Sequence, residues 1–148
     1  VVNVVEEGID VAVRIGELPD SSLQAVRVGR VSRVLVAAPA YLQAQGTPRR
    51  PEDLADHTLV SAAGVNPVSE WRFNNAGKVL MQRVQPRMRT VTNDSAIAAT
   101  LAGLGITRLL SYQVAAHVRS GALQVVLEAF EPNPLPVHIV HHEGRRAT

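Results

Sequence analysis

RMRTVTNDSAIAATLAGLGITRLL, residues 87–110, is the stretch on which the reading of this chain turns. Residues 87–91 have strand character and stop at the polar cluster Thr92, Asn93, Asp94 and Ser95. A helix of small apolar residues follows, with one of the four polar residues as its cap and Gly103 and Gly105 as its stop. A short apolar run then resumes as a strand. A strand, a polar turn and a helix in succession aim unpaired backbone N–H groups into a crevice at a strand's carboxyl end, where they suit an anion. Thr92, Asn93, Asp94 and Ser95 are therefore the leading ligand-contact candidates. Asp94 repels a carboxylate unless it points away, so Thr92, Asn93 and the backbone after them are favoured. The feature points to a small-molecule sensor or binder more than to a catalyst.

Working outward, the rest of the chain alternates strand and helix signals. Ile9, Val11, Val13 and Ile15 alternate with Asp10, Ala12 and Arg14, a strand pattern preceded by a helix-like spacing of Val1, Val4 and Val5 and a stop at Gly8. Residues 23–28 and 30–37 read as one long or broken strand with a bulge or bend at Gly29. Pro39 opens a short helix that Gly46 closes, residues 52–55 form a helical turn, and 58–61 a strand. Trp71, Arg72 and Phe73 alternate before a hairpin-style turn at 74–77, after which 78–85 continue as a strand. Pro86 sits at an edge or bend. Ser111 is placed to cap a helix over 112–119 that Gly121 ends, 123–127 and 137–140 are strands, and the proline-rich 131–136 is extended. The alternation argues for α/β layers.

Composition narrows the function. Of 148 residues, 46% are apolar and 19% charged, enough for a real core and against disorder; only 3% are aromatic, so Val, Leu, Ile and Ala must build it. Fifteen basic residues, all but Lys78 arginine, stand against 13 acidic ones for a net charge of +2. They are dispersed, unlike the concentrated basic face of a nucleic-acid module. Arg27, Arg30 and Arg33 read as a solvated sheet face; Arg83, Arg87 and Arg89 form a basic stripe without the interleaved aromatics that stacking on bases needs. Without cysteine there is no disulfide or Cys-based zinc site. No apolar run nears the roughly 20 residues that span a bilayer, and residues 1–8 are not a signal peptide. The chain opens on Val1 as though inside an element, the expectation being a fragment of something longer.

The order of signatures is familiar. GIDVAVRIG, the arginine-bearing strand into VLVAAPAYLQAQG, P-x-DL-x-x-H, W-x-F before a glycine turn, TNDSAIAATLAGLGI and LPVHIV follow one another from residue 1 to about 144. Together they resemble the effector-binding domain of LysR-type transcriptional regulators. The resemblance implies an α/β, two-lobed, periplasmic-binding-protein-like (type 2) fold with a ligand in the cleft and two crossing strands, near residues 36–39 and 133–137. Residues 1–38 would hold the first lobe and first crossing, 39–132 the second lobe, and 133–148 the second crossing and return. The first lobe is expected to be incomplete, lacking a strand and a helix, with the DNA-binding domain and terminal helix also absent. Ala38 stands where family members often carry Ser before the hinge proline, which removes a hydroxyl.

The implied function is an effector-sensing, oligomerising module of a bacterial, cytoplasmic regulator, taking a small anionic metabolite such as a carboxylate. It would form a homodimer or higher homo-oligomer, touch DNA only through the absent domain, and need no membrane and no cofactor. A fragment of a transport solute-binding protein is the alternative. Arg14 and Gly16 end a first-lobe strand and could face the cleft; Ala63 and Gly64, after a second-lobe strand, could line the opposite wall, with Thr107 and Arg108 beside them. No enzyme is expected: there is no G-x-S-x-G, no Ser-His-Asp arrangement and no phosphate loop. His138, His141 and His142 do not make a metal set, since His141 falls on the other strand face. His57 and His117 read as surface or satisfied interior histidines, and Trp71 as core.

Overall fold

The computed structural model describes residues 11–15, 23–62 and 70–142. By backbone contacts the chain divides into two compact units, Val1–Val31 with Pro134–Thr148, and Ser32–Asn133. Elements are numbered here in chain order. The helix read over residues 1–8 lies outside the described residues.

The first unit holds a three-stranded antiparallel sheet. Its centre is β10 (Leu135–His142), flanked by β1 (Val11–Ile15) and β2 (Leu23–Val31). Val137 pairs with Gly29 but His138 pairs with Arg27, leaving Val28 as an extra residue. This is the bulge that Gly29 signals, since a residue without a side chain lets the strand bend.

The second unit contains β3 (Arg33–Ala37), α1 (Pro39–Gln45), a 3-10 turn (Pro51–Asp56), β4 (Leu59–Ser61), β5 (Glu70–Asn75) and β6 (Lys78–Arg83). It continues through β7 (Met88–Arg89), α2 (Asn93–Leu101), β8 (Ile106–Leu110), α3 (Ser111–Ser120), β9 (Gln124–Val126) and a 3-10 turn (Glu128–Phe130). Five strands form one mixed sheet in the order β7-β4-β8-β3-β9, while β5 and β6 pair only with each other. β4 runs parallel to β7 and β8, and β3 antiparallel to β8 and β9.

β3 is buried on both faces, and its period of two sorts the core. Leu35 and Ala37 join Tyr41, Leu42, Leu54, Leu59, Trp71, Phe73 and Ile106 on the side covered by α1 and the β5–β6 hairpin. Val34 and Val36 join Ile97, Leu109, Val114 and Leu123 on the side covered by α2 and α3. The stretch 30–37, read as part of one long or broken strand, thus holds a change of unit at Ser32. By backbone contacts the units divide between Val31 and Ser32 and between Asn133 and Pro134.

Local chemistry explains how α2 is set. Thr92 is extended (φ −133°) and its Oγ1 accepts from the Ser95 N–H at 3.0 Å, a side-chain cap. At the far end Gly103 takes φ 82°; its N–H reaches the Thr100 carbonyl and that of Leu104 the Ala99 carbonyl, closing a Schellman motif. Gly105 answers a different need. A Cβ there would lie 2.5 Å from the Thr58 carbonyl oxygen, where the Ile106 N–H docks to start β8 beside β4. The hairpin turns through Ala76 (φ 53°) and Gly77 (φ 85°), both left-handed, as a two-residue turn between twisted strands requires.

Two local expectations are corrected. The strand at 87–91 shrinks to two residues, because the Thr90 N–H and hydroxyl both turn back to the Ser61 carbonyl. Ser111 does not cap α3: its Oγ accepts from the Ser32 N–H at 3.2 Å, while Gln113 Oε1 takes the Leu110 N–H.

Candidate functional site

The carboxyl ends of β4 and β8, the first turns of α2 and α3 and the hairpin surround an open cleft of about 560 Å³ within the second unit. Its lining is mixed. Val60, Ala62, Trp71, Met81 and Leu109 are apolar, and Ser61, Asn93 and Gln113 are polar. The charged members are Arg33, Arg72, Arg108 and Glu70. A smaller concavity of about 320 Å³ continues over the start of α2, lined by Thr92, Asn93, Asp94, Ile97 and Gln113. Asn93 and Gln113 belong to both.

Three guanidiniums converge because three strands bring them together. Arg33 begins β3 and Arg108 sits in β8, diagonal to each other on one face, since Leu110 lies opposite Arg33 and Leu35 opposite Arg108. Arg72 occupies an outward position of β5, between the buried Trp71 and Phe73. Arg108 Nη2 donates to the Arg72 carbonyl, and its guanidinium lies 5.0 Å from the Phe73 ring centroid and 5.9 Å from that of Trp71. Its Nε is buried without an acceptor. Burial first, then the charges of Arg33 and Arg72, pull the Arg108 pKa down to about 10, while Glu131 acts the other way. Arg33 is lowered too, by burial and then by Arg72. Among the described residues, none of the three makes an ion pair; the recorded pair is Arg50 with Glu52. Chemically the cleft is a cationic recess, with donors in fork geometry suited to an oxyanion.

The α2 end contributes less charge but free donors. The first intrahelical bond runs from the Ala96 N–H to the Thr92 carbonyl, and Thr92 Oγ1 holds the Ser95 N–H. That leaves the Asn93 and Asp94 N–H groups without an acceptor among the described residues.

The structure brings together some expected residues and not others. Thr92, Asn93 and Asp94 line the smaller concavity and Asn93 also the larger one, whereas Ser95 lines neither and is engaged with Thr92. Thr107 is fully buried and its hydroxyl donates to the Val60 carbonyl at 2.9 Å, so it seats β4 rather than opening onto the cleft. Arg14 lies in β1, opposite His138; its side chain, like Gly16, Ala63 and Gly64, is outside the described residues. Arg33, read as part of a solvated face, is half-buried in the cleft instead. Arg72, Met81 and Gln113 escaped the sequence reading. The alternation Trp71-Arg72-Phe73 did hold the signal for Arg72, which had to face away from the buried pair. His57 is satisfied: the Tyr41 hydroxyl bonds its Nδ1 at 2.8 Å and accepts from the Thr58 N–H. No cluster of three metal-ligating side chains occurs among the described residues, and no helix among them is long and apolar enough to cross a membrane.

Comparison with known proteins places this geometry. The family model described as the LysR substrate binding domain matches residues 1–148. The HTH-type transcriptional activator AaeR of Escherichia coli K12 is 32% identical over 143 residues, covering 95% of this chain and 46% of that protein. A transcriptional repressor of Pseudomonas aeruginosa strain UCBPP-PA14 is 32% identical over 146 residues, covering 97% and 46%. The chain thus spans about half the length of the curated relatives it matches. The regulatory domain of AphB in Vibrio vulnificus superposes with a TM-score of 0.80 at 30% identity, over 92% of this chain and 68% of that one. The regulatory domain of CrgA from Neisseria meningitidis does so with 0.78 at 27%, over 93% and 68%. These relatives are regulators and not enzymes, the transport-protein alternative is not favoured, and the fold is the periplasmic-binding-protein-like type 2 fold. The chain belongs to the LysR family of transcriptional regulators, to which it contributes the substrate-binding domain.

Proposed function

We propose that this domain senses a small anionic effector, a carboxylate, held in the cleft of the second unit. The observation that carries the reading is the convergence of Arg33, Arg72 and Arg108 on one recess with a buried, acceptorless Nε and, among the described lining residues, only Glu70 of opposite sign. Arg33, Arg72 and Arg108 would anchor the carboxylate, and Asn93 with the free N–H groups at the start of α2 would orient it. Val60, Trp71, Met81 and Leu109 would cover its apolar body. Thr92 and Ser95 organise the turn, Asp94 points selectivity away from further negative charge there, and Thr107 supports from behind. Arg14, Gly16, Ala63 and Gly64 are proposed as further wall residues.

In the full-length regulator, the effector shifts a pre-existing equilibrium of arrangements by its differential affinity for them, and DNA is reached through a separate domain. The regulator acts as a homo-oligomer in the cytoplasm; light scattering of the chain at micromolar concentration should give a mass above the monomer's.

Titration of aromatic and aliphatic carboxylates by calorimetry and thermal shift tests the site. At least one should bind and stabilise. Arg108→Gln should weaken that binding by tenfold or more, since truncating one partner of a partly desolvated charge pair typically costs about 2 kcal/mol or more. Asn93→Ala should weaken it less. Silence across a broad panel would contradict the reading.

A further inference from the structure

The three arginines come from two separately hydrogen-bonded sheets. Arg33 and Arg108 belong to β3 and β8, which share a hydrogen-bonded ladder. Arg72 belongs to the β5–β6 hairpin, which among the described residues has no strand partner outside itself. The hairpin is held to the sheet by side chains: Trp71 and Phe73 in the core, the Arg108 guanidinium on the Arg72 carbonyl and against both rings, and an Asn74 Nδ2 bond to Asn133 Oδ1 at 3.3 Å. Two influences therefore oppose each other at this junction. Arg108 draws β5 in through its backbone carbonyl and aromatic faces, while Arg33 and Arg108 push on the Arg72 guanidinium that reaches into the same cleft. Glu70 in the lining and Glu131 near Arg108 relieve that repulsion only in part.

We propose that the β5–β6 hairpin is the occupancy-responsive element of this unit: an anion shared by Arg72 with Arg33 and Arg108 converts three repelling cations into a cross-link between hairpin and sheet. Arg108 is then a positioning residue as well as an anchor, because it grips the hairpin whether or not the cleft is filled. The inference rests on the anionic-effector reading above. It goes further by naming the element that tightens and the charge pair that keeps it loose.

Hydrogen exchange on the 148-residue chain tests it in two arms. Without added carboxylate or other multivalent anion, at low ionic strength where screening is weak, Arg33→Gln should slow exchange of the hairpin amides by about fivefold and leave those of α2 and α3 unchanged. Arg33→Lys, which keeps the charge, should exchange like the wild type and guards against a folding defect. In the second arm, citrate is added to the wild type against chloride at matched ionic strength, with binding followed by calorimetry. Hairpin protection should rise more than α2 protection, and the difference should vanish in Arg72→Gln. Unchanged hairpin exchange in Arg33→Gln would overturn the coupling, and so would citrate binding without a hairpin response. Absence of binding by citrate and by the carboxylate panel would instead bring down the anion site itself, and the inference with it. The first arm distinguishes the two failures because it uses no anion.

Discussion

The two faces of β3 bury similar aliphatic side chains but lie under different covers. On one, Val34 and Val36 meet α2 and α3 through Ile97, Leu109, Val114 and Leu123, with no charged member in the cluster. On the other, Leu35 and Ala37 meet a hairpin whose Trp71 and Phe73 are core on one side and platform for Arg108 on the other. The helix-covered face is packed with these aliphatic side chains. The hairpin-covered face accepts crowded cations beside its core, a cost to stability.

The sharpest way to break this contrast is to remove the shared platform. Phe73→Ala should cost about 3–5 kcal/mol by urea denaturation, the usual range for a buried aromatic, and should weaken carboxylate binding as well, because Arg108 loses its seat. Leu123→Ala, fully inside the other face, should cost about 2–5 kcal/mol and leave carboxylate affinity unchanged. If the two variants lost affinity equally, the division of labour between faces would be wrong. Next in size, Thr92→Ala should cost about 1 kcal/mol through loss of the α2 cap, seen as a lower urea midpoint, and should weaken binding only modestly.

The smallest effect is a pH signature on the hairpin side. Burial raises the Glu131 pKa, Glu128 adds to the rise and Arg108 opposes it. The folded chain then holds this proton more tightly than the unfolded chain does. The associated stability is fully present below the unfolded carboxyl value and is lost as pH rises through the raised folded one. Glu131→Gln should flatten the profile of Tm against pH just above the ordinary glutamate range, with little change elsewhere. An unchanged slope there would show that Glu131 is not held in the environment described.

Much of this was legible in the residues. The polar cluster at 92–95 announced a capped helix, Gly103 its end, and Ala76-Gly77 a two-residue turn, because each depends on local backbone chemistry. Gly29 marked its bulge for the same reason. What escaped depended on contacts distant in sequence. Ser32 begins the second unit but sits within a stretch read as one long or broken strand. Ser111 looked like a cap until the Ser32 N–H, 79 positions away, claimed its hydroxyl. The arginine cluster was legible only in pieces: Arg108 stood among the wall candidates and Arg72 in an outward strand position, but only the register of β3 on β8 and the placement of the hairpin bring them to one recess with Arg33.

The most direct test of the account is a crystal structure of the chain with the tightest-binding carboxylate of the panel. The account predicts the carboxylate oxygens within hydrogen-bond distance of at least two of Arg33, Arg72 and Arg108, with Asn93 at the edge of the ligand. A carboxylate bound elsewhere, with all three guanidiniums arranged as they are now, would contradict it.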